Sequence, residues 1–214
     1  MSIRDGFSRI VSHPRVFDAQ TTLLGGKRLA RTLTPIALHT TRGQVRGTVL
    51  DVGGGTASAH SLWPAAWTYI SLDPDRRVVR RDTSGCAIRR IVGDASCLGF
   101  GDHSVDVVMM KGVSHHLDDS TWFSALSEVR RILRPDGYFL FVDGVLKPRR
   151  WISRLAWFVD TGRFPRPSGE IESAIANSFQ VESIERLTLL HHSLVLVGRP
   201  DPALRRGHTE RTGM

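Results

Sequence analysis

Cysteine and lysine are scarce, and each shortage excludes something. Two cysteines, Cys86 and Cys97, cannot build a disulfide framework or a four-ligand structural zinc site, which argues for a reducing compartment. No apolar run approaches the ~20 residues that cross a bilayer. The opening Met1-Ser2-Ile3-Arg4-Asp5-Gly6 carries an acid and lacks the apolar stretch of a signal peptide. A soluble, cytoplasmic protein is the expectation. Internal repeats and low-complexity tracts are missing too. With 41% hydrophobic and 23% charged residues over 214 positions, the chain has enough apolar content for a core, so wholesale disorder is excluded.

Only three of the 29 basic groups are lysine (Lys27, Lys111 and Lys147), so nearly all the positive charge is arginine. The net charge is +8, and it is unevenly placed. Residues 1–47 hold eight basic groups and two acids, and residues 199–214 hold four arginines and two acids. The body between them is neutral, which does not require the basic stripe of a nucleic-acid-binding domain. Arginine-rich codon usage explains the bias in the bland case. The functional alternative is attraction for an anionic substrate or membrane surface.

From Thr48 onward, short apolar runs alternate with helical patterns. Thr48–Val52, Thr68–Leu72, Ile88–Val92, Val105–Met110 and Tyr138–Val142 have strand length and β-branched or aromatic content. Their near-continuous apolar character predicts parallel strands covered on both faces. Helices are expected over Ala57–Ala66, Asp75–Arg81, Asp119–Leu133, Lys147–Val159 and Glu170–Ser178. Trp122, Leu126, Val129 and Leu133 recur at helical spacing, and Arg134-Pro135-Asp136-Gly137 ends that helix. Gln180–Leu187 and Leu189–Val197 look like a closing antiparallel pair. Residues 1–40 read as helical segments broken at His13-Pro14 and Gly25-Gly26, and residues 199–214 as a disordered basic tail. The whole is an α/β sheet with crossovers.

The most informative stretch is Val49-Leu50-Asp51-Val52-Gly53-Gly54-Gly55-Thr56-Ala57, a strand running into three glycines and a helical pattern. Such a turn lets a ligand approach backbone amides without a Cβ in the way. A dinucleotide fingerprint needs G-x-G-x-x-G, and Ser58 stands at the third glycine. A Walker loop is absent, because Gly26-Lys27-Arg28 lacks its spacing and its hydroxyl residue. Asp51 would repel a pyrophosphate but favour a ligand carrying a sulfonium and an ammonium. Asp73 closes the second strand, where an acid can accept hydrogen bonds from both ribose hydroxyls. Asp94 follows the third strand, where a carboxylate can meet an adenine amino group. Lys111-Gly112-Val113-Ser114-His115-His116-Leu117 leaves the fourth strand at the same carboxyl edge.

These motifs, with Ser104-Val105-Asp106 and Glu128–Gly137, resemble in their order the class I S-adenosylmethionine-dependent methyltransferases, most closely the small-molecule, type 11-like branch. The resemblance covers about residues 40–198. It implies a Rossmann-like seven-stranded sheet in the order 3-2-1-4-5-7-6, with strand seven antiparallel and helices on both faces. It implies three parts: an N-terminal helical extension over 1–40 that could cover substrate, a methyltransferase domain over 41–198, and the tail. S-adenosylmethionine is the implied cofactor. Asp51, Gly53, Gly54 and Gly55 would line its methionine moiety, Asp73 with Pro74 its ribose, and Asp94 with Ala95 its adenine; Lys111 is counted with them. Ala57 stands where the family usually has a third glycine.

A sulfonium methyl is already activated, so the protein mainly aligns an acceptor in line with it and excludes water. His115 and His116 are the candidate catalytic residues, because a hydroxyl acceptor must lose a proton and imidazole titrates near neutrality. Packing and helix capping are the bland alternative for each. No metal site is expected, since His191-His192 has no carboxylate or cysteine pattern beside it. Enzymes that methylate exocyclic amino groups of bases resemble one another in an Asn/Asp-Pro-Pro-aromatic loop where this chain has Lys111-Gly112-Val113-Ser114. Cytosine-carbon methylation needs a Pro-Cys context that Cys97 lacks. Nucleic acid is therefore disfavoured, and a small-molecule acceptor, lipid-like or anionic, is expected. Trp151, Leu155 and Phe158 share a helical face beside Arg150 and Arg154, which suits core packing, a substrate lid or a peripheral membrane contact. Two other readings stay open: a cofactor-binding protein without methyl transfer, regulatory or pericyclic, and a basic interaction module.

Overall fold

The computed structural model of the protein describes residues 27–79, 88–146, 163–188 and 192–202. Outside them lie the helical segments expected before Lys27, Cys86, the segment Lys147–Val159, His191 and the tail from residue 203.

In chain order the elements are α1 (Lys27–Thr40), β1 (Thr48–Val52), β2 (Thr68–Asp73), α2 (Arg76–Val79), β3 (Ile88–Val92), β4 (Val105–Lys111), α3 (Asp119–Ile132), β5 (Leu133–Gly144), α4 (Ser168–Ala176), β6 (Phe179–Thr188) and β7 (His192–Pro200). The seven strands form one sheet in the order β3-β2-β1-β4-β5-β7-β6. Strands β1 to β5 pair in parallel, and β7 runs antiparallel to both β5 and β6. The expected topology is the observed one.

In β1, β2, β4, β5 and β7 alternate residues enter one of two cores, which is why those runs read as apolar. The edge strand β3 is exposed at Ile91 and Val92, so the expected cover on both faces fails there. On one face Leu50, Ile70, Val108, Met110, Phe139 and Phe141 pack against Trp122, Leu126 and Val129 of α3 and Ile171 and Ile175 of α4. On the other, Val49, Tyr69, Val107, Met109 and Leu140 pack against Leu33 and Ala37 of α1 and against Trp63 and Trp67. Residues 27–40 are thus one layer of the core.

Four local readings are corrected. Ala57–Ala66 is not an α-helix but a series of turns with a single 3-10 turn at His60–Leu62. Ala57 has φ +61°, a left-handed conformation no helix contains, and Pro64 forces Trp63 into extended backbone. The fifth strand begins at Leu133, not Tyr138, because Leu133 already pairs with Val105. The next pair is Val107 with Tyr138, so Arg134–Gly137 form an excursion in which Gly137 sits so close to the Asp106 carbonyl that a Cβ would lie 2.7 Å from it. Helix α4 starts two residues early, at Ser168, right after Pro167. The last strand runs on through Pro200, so Arg199 and Pro200, which pair with Gln180 and Phe179, belong to β7 and not to the tail, while the expected start of that strand at Leu189 lies outside the described residues.

Candidate cofactor and acceptor site

The carboxyl ends of β1, β2, β3 and β4 bring the expected cofactor residues to one edge. Gly53 N and Gly54 N both donate to the Leu72 carbonyl, at 2.7 and 3.1 Å, which ties the glycine turn to the end of β2. Gly53 and Gly55 have φ of +68° and +52°, the left-handed region where glycine carries no penalty. A Cβ on Gly54 would fall 2.5 Å from Ser71 Oγ and 2.9 Å from Asp51 Oδ2, so no side chain fits beneath the turn. A Cβ on Gly55 would meet nothing closer than 4.0 Å, so open space lies beside that position.

Asp73 accepts hydrogen bonds from Gly55 N at 3.1 Å and from Asp75 N at 2.8 Å, one on each oxygen. Each carboxylate oxygen keeps a second lone pair for a ligand hydroxyl. Pro74 beside it is exposed. Asp94 is exposed at the end of β3, and its Oδ1 accepts from Ser96 N and Ser96 Oγ, both at 2.7 Å. The Ser96 side chain and backbone hold this carboxyl below its usual range, so it is an anion at neutral pH. Ala95 next to it is buried.

Asp51 is placed differently from a carboxylate lining a turn. It is 1% exposed and lies under Gly54, with Oδ2 accepting from the Tyr69 hydroxyl. Its Oδ1 is buried without a hydrogen-bond partner among the described residues. Burial pushes its pKa up to about 6, against the Tyr69 hydrogen bond and the charge of Lys111, which lower it. Such a group acts on a cationic ligand through a charge in low dielectric. A glycine cradle over a buried carboxylate with one unpaired oxygen, with Asp73 and Asp94 alongside, fits a ligand that is cationic at one end and a nucleoside at the other.

The loop after β4 completes the edge. Val113 packs on the glycine turn, because a Cβ on Gly53 would stand 2.4 Å from Val113 Cγ2. Lys111 Nζ reaches Ser58 Oγ at 3.5 Å. His115 is 6% exposed, and its Nδ1 lies 2.6 Å from Asp143 Oδ1 at the end of β5. Asp143 also accepts from Ser114 N at 2.8 Å, Ser114 Oγ at 2.6 Å and Gly144 N at 2.7 Å. Burial opposes its ionisation, but the His115 charge and these four hydrogen bonds outweigh burial and hold it below the usual carboxylate range. His116 is exposed, with its ring centroid 4.2 Å from that of His115. The helix cap comes from Asp118, whose Oδ1 accepts from Thr121 N at 2.8 Å.

Residues 50–141 match a family model described as a methyltransferase domain, which runs from the middle of β1 into β5. Over residues 50–141 the chain is similar to the methyltransferase domain of the S-adenosylmethionine-dependent methyltransferases. Phthiotriol/phenolphthiotriol dimycocerosates methyltransferase 1 of Mycobacterium ulcerans is 33% identical over 155 residues, 72% of this chain and 54% of the relative. A fatty-acid O-methyltransferase of Mycolicibacterium smegmatis is 38% identical over 107 residues, 47% of this chain and 38% of the relative. The chain thus spans about half, or less, of the curated relatives it matches. A crystal structure of a Pyrococcus horikoshii protein aligns with a TM-score of 0.69 at 22% identity, covering 87% of this chain and 97% of that one, which shows a shared fold.

Three residues around this edge escape a reading of the sequence. Asp143 could have been found by the rule that singled out Asp51 and Asp73, an acid ending an apolar strand. Tyr69 looks like an ordinary core aromatic of β2. Arg166, 7% exposed, donates to the Ser114 carbonyl at 2.7 Å, the Leu117 carbonyl at 2.9 Å and Asp119 Oδ1 at 2.6 Å. It holds the histidine loop from below, and no local pattern announces it. Among the described residues no helix is long and apolar enough to cross a membrane, and no group of three or more His, Cys, Asp or Glu is placed to hold a metal. Cys97 is exposed.

Proposed function

We propose that this methyltransferase alkylates a hydroxyl of a small, lipid-like acceptor, with His115 as general base. The observation that carries the reading is the Asp143–His115 pair at the sheet edge that also holds the glycine turn. With Nδ1 donating to Asp143, the proton-accepting atom of His115 is Nε2. The carboxylate orients the ring and stabilises the imidazolium that forms when it takes a proton. Near-complete burial keeps water from competing for that proton.

When bound, S-adenosylmethionine supplies a methyl already activated on sulfur. Asp73 with Pro74 would hold the ribose, Asp94 with Ala95 the adenine, and Gly53, Gly54 and Gly55 would admit the methionine moiety, above the charge of Asp51 and beside Lys111. His115 takes the hydroxyl proton as the oxygen–carbon bond forms, and the electron pair of the broken bond stays on sulfur. His116, exposed against the His115 ring, borders the acceptor side. The names of two relatives, for a dimycocerosate and for a fatty acid, support a lipid-like acceptor. The arginine surplus of residues 1–47 suits work at an anionic surface from the cytoplasm.

Transfer of a labelled methyl from S-adenosylmethionine to long-chain alcohols, hydroxylated lipids and fatty acids tests this. Labelled ether from a hydroxyl acceptor, lost in Asp143→Asn with cofactor affinity retained, is the expected result. Cofactor binding without transfer to any of them would leave a binding protein in its place.

A further inference from the structure

Tyr69 is buried in β2, and its hydroxyl donates to a carboxylate that has no other partner among the described residues. Asp51 and Ser71 are register neighbours on β1 and β2, so the carboxyl group lies between Gly54, Ser71 and the Tyr69 ring. Nothing in core packing needs an ionised group there. Phenylalanine would fill the same volume, and a buried carboxylate with one donor is costly.

We propose that Tyr69 is a positioning residue for charge: it keeps Asp51 ionised beneath the glycine turn, and this pair gives the sulfonium of S-adenosylmethionine an electrostatic contribution to binding that S-adenosylhomocysteine does not receive. The inference rests on the cofactor reading above. The two ligands share adenosine, ammonium and carboxylate groups and differ by one methyl and one positive charge on sulfur. A contact to any shared group cannot tell them apart; a buried negative charge near the turn can.

The surrounding charges agree with this role. Lys111, from β4, favours the ionised form of Asp51, and Asp73, at the end of β2, opposes it. From β3, Arg90 donates to the Gly55 and Thr56 carbonyls at 3.3 and 3.1 Å and its charge acts on Tyr69. Burial and the charge of Asp51 push the Tyr69 hydroxyl far up, so it stays a donor at every working pH. His60 packs edge-on against the Tyr69 ring, with ring centroids 5.4 Å apart. Asp51 loses its charge as the pH falls through about 6. Binding a cation then also requires removing a proton, so affinity falls up to tenfold per pH unit below that point.

The test is calorimetric binding of each ligand between pH 5 and 7.5. In the wild-type protein, S-adenosylmethionine should weaken about five- to tenfold from pH 7 to 5, and S-adenosylhomocysteine by less than half that factor. Tyr69→Phe, which keeps the ring packing, should move the midpoint up by about one unit, since the remaining carboxylate has lost its donor. His60→Gln should leave the profile in place. Equal pH dependence for both ligands, an unmoved midpoint in Tyr69→Phe, or a profile abolished by His60→Gln would each overturn the proposal. Absence of binding at every pH would instead remove the cofactor reading, and the proposal with it.

Discussion

Gly53 and Val113 compete for one space: a Cβ on the glycine would stand 2.4 Å from Val113 Cγ2. The glycine turn and the loop carrying His115 are therefore packed on each other across the β1–β4 pair. A change of side chain at either position is therefore felt by both segments.

Gly53→Ala should destabilise the protein by about 2–4 kcal/mol, since overpacking adds to the left-handed strain of a residue at φ +68°. Pairing it with Val113→Ala should recover the overpacking part and leave the strain. Urea denaturation of both variants checks this; full recovery would mean that strain is negligible there.

His115→Ala and Asp143→Asn should each lower turnover by ~10²–10⁴-fold with cofactor affinity within a few-fold. His116→Ala should keep at least a third of the wild-type rate. The rising limb of rate against pH near neutrality should vanish in His115→Ala, because that limb is imidazole deprotonation. A retained limb would assign the base elsewhere.

Asp143 also contributes to acid stability. Its folded pKa lies below the ordinary 3.8, so its stabilising contribution is present above that value and is lost as the pH falls through the folded value. The stability difference between wild type and Asp143→Asn should be largest at neutral pH and shrink below about pH 4. Melting temperatures of the two proteins from pH 3 to 7 give the comparison.

The topology and the gathering of the glycine turn, Asp73 and Asp94 at one sheet edge are legible because they rest on local chemistry. Apolar runs of strand length, a glycine turn and acids at strand ends each reveal themselves within a few residues. The His115 partner was not legible, because Asp143 lies 28 positions away and meets it only once β4 and β5 are adjacent. Arg166 is more remote still, 52 positions from Ser114. The failed helix at Ala57–Ala66 shows the same limit from the other side. Its residues tolerate helix, but Gly53, Gly54 and Ala57 are already committed to the turn above β1.

Arg166→Lys should preserve the fold better than Arg166→Ala yet fail to restore the rate, since an ammonium cannot span the Ser114 and Leu117 carbonyls with Asp119 as a guanidinium does. Arg166→Ala leaves buried carbonyls unpaired at ~1–3 kcal/mol each. Turnover should fall more than S-adenosylmethionine affinity in both. Equal losses of the two would place Arg166 in the general stability of the fold.

Ala57→Gly should be close to neutral or stabilising, because relief of strain at φ +61° offsets the lost methyl burial. Ala125→Gly, a buried position of α3, should cost about 1 kcal/mol or more. Chemical denaturation of the two side by side tests whether the alanine at the turn is held in an unfavourable conformation.

The position of β7 has a consequence for how the molecule comes into being. It is the last strand in the described chain and yet lies inside the sheet, between β5 and β6. During synthesis, β5 must wait with an unpaired edge until residues 192–200 have been made, and β6 has no neighbour at all before then. The sheet therefore closes only once residues 192–200 have been made, and a nascent chain stopped before His192 leaves β5 and β6 with open edges able to pair with other chains.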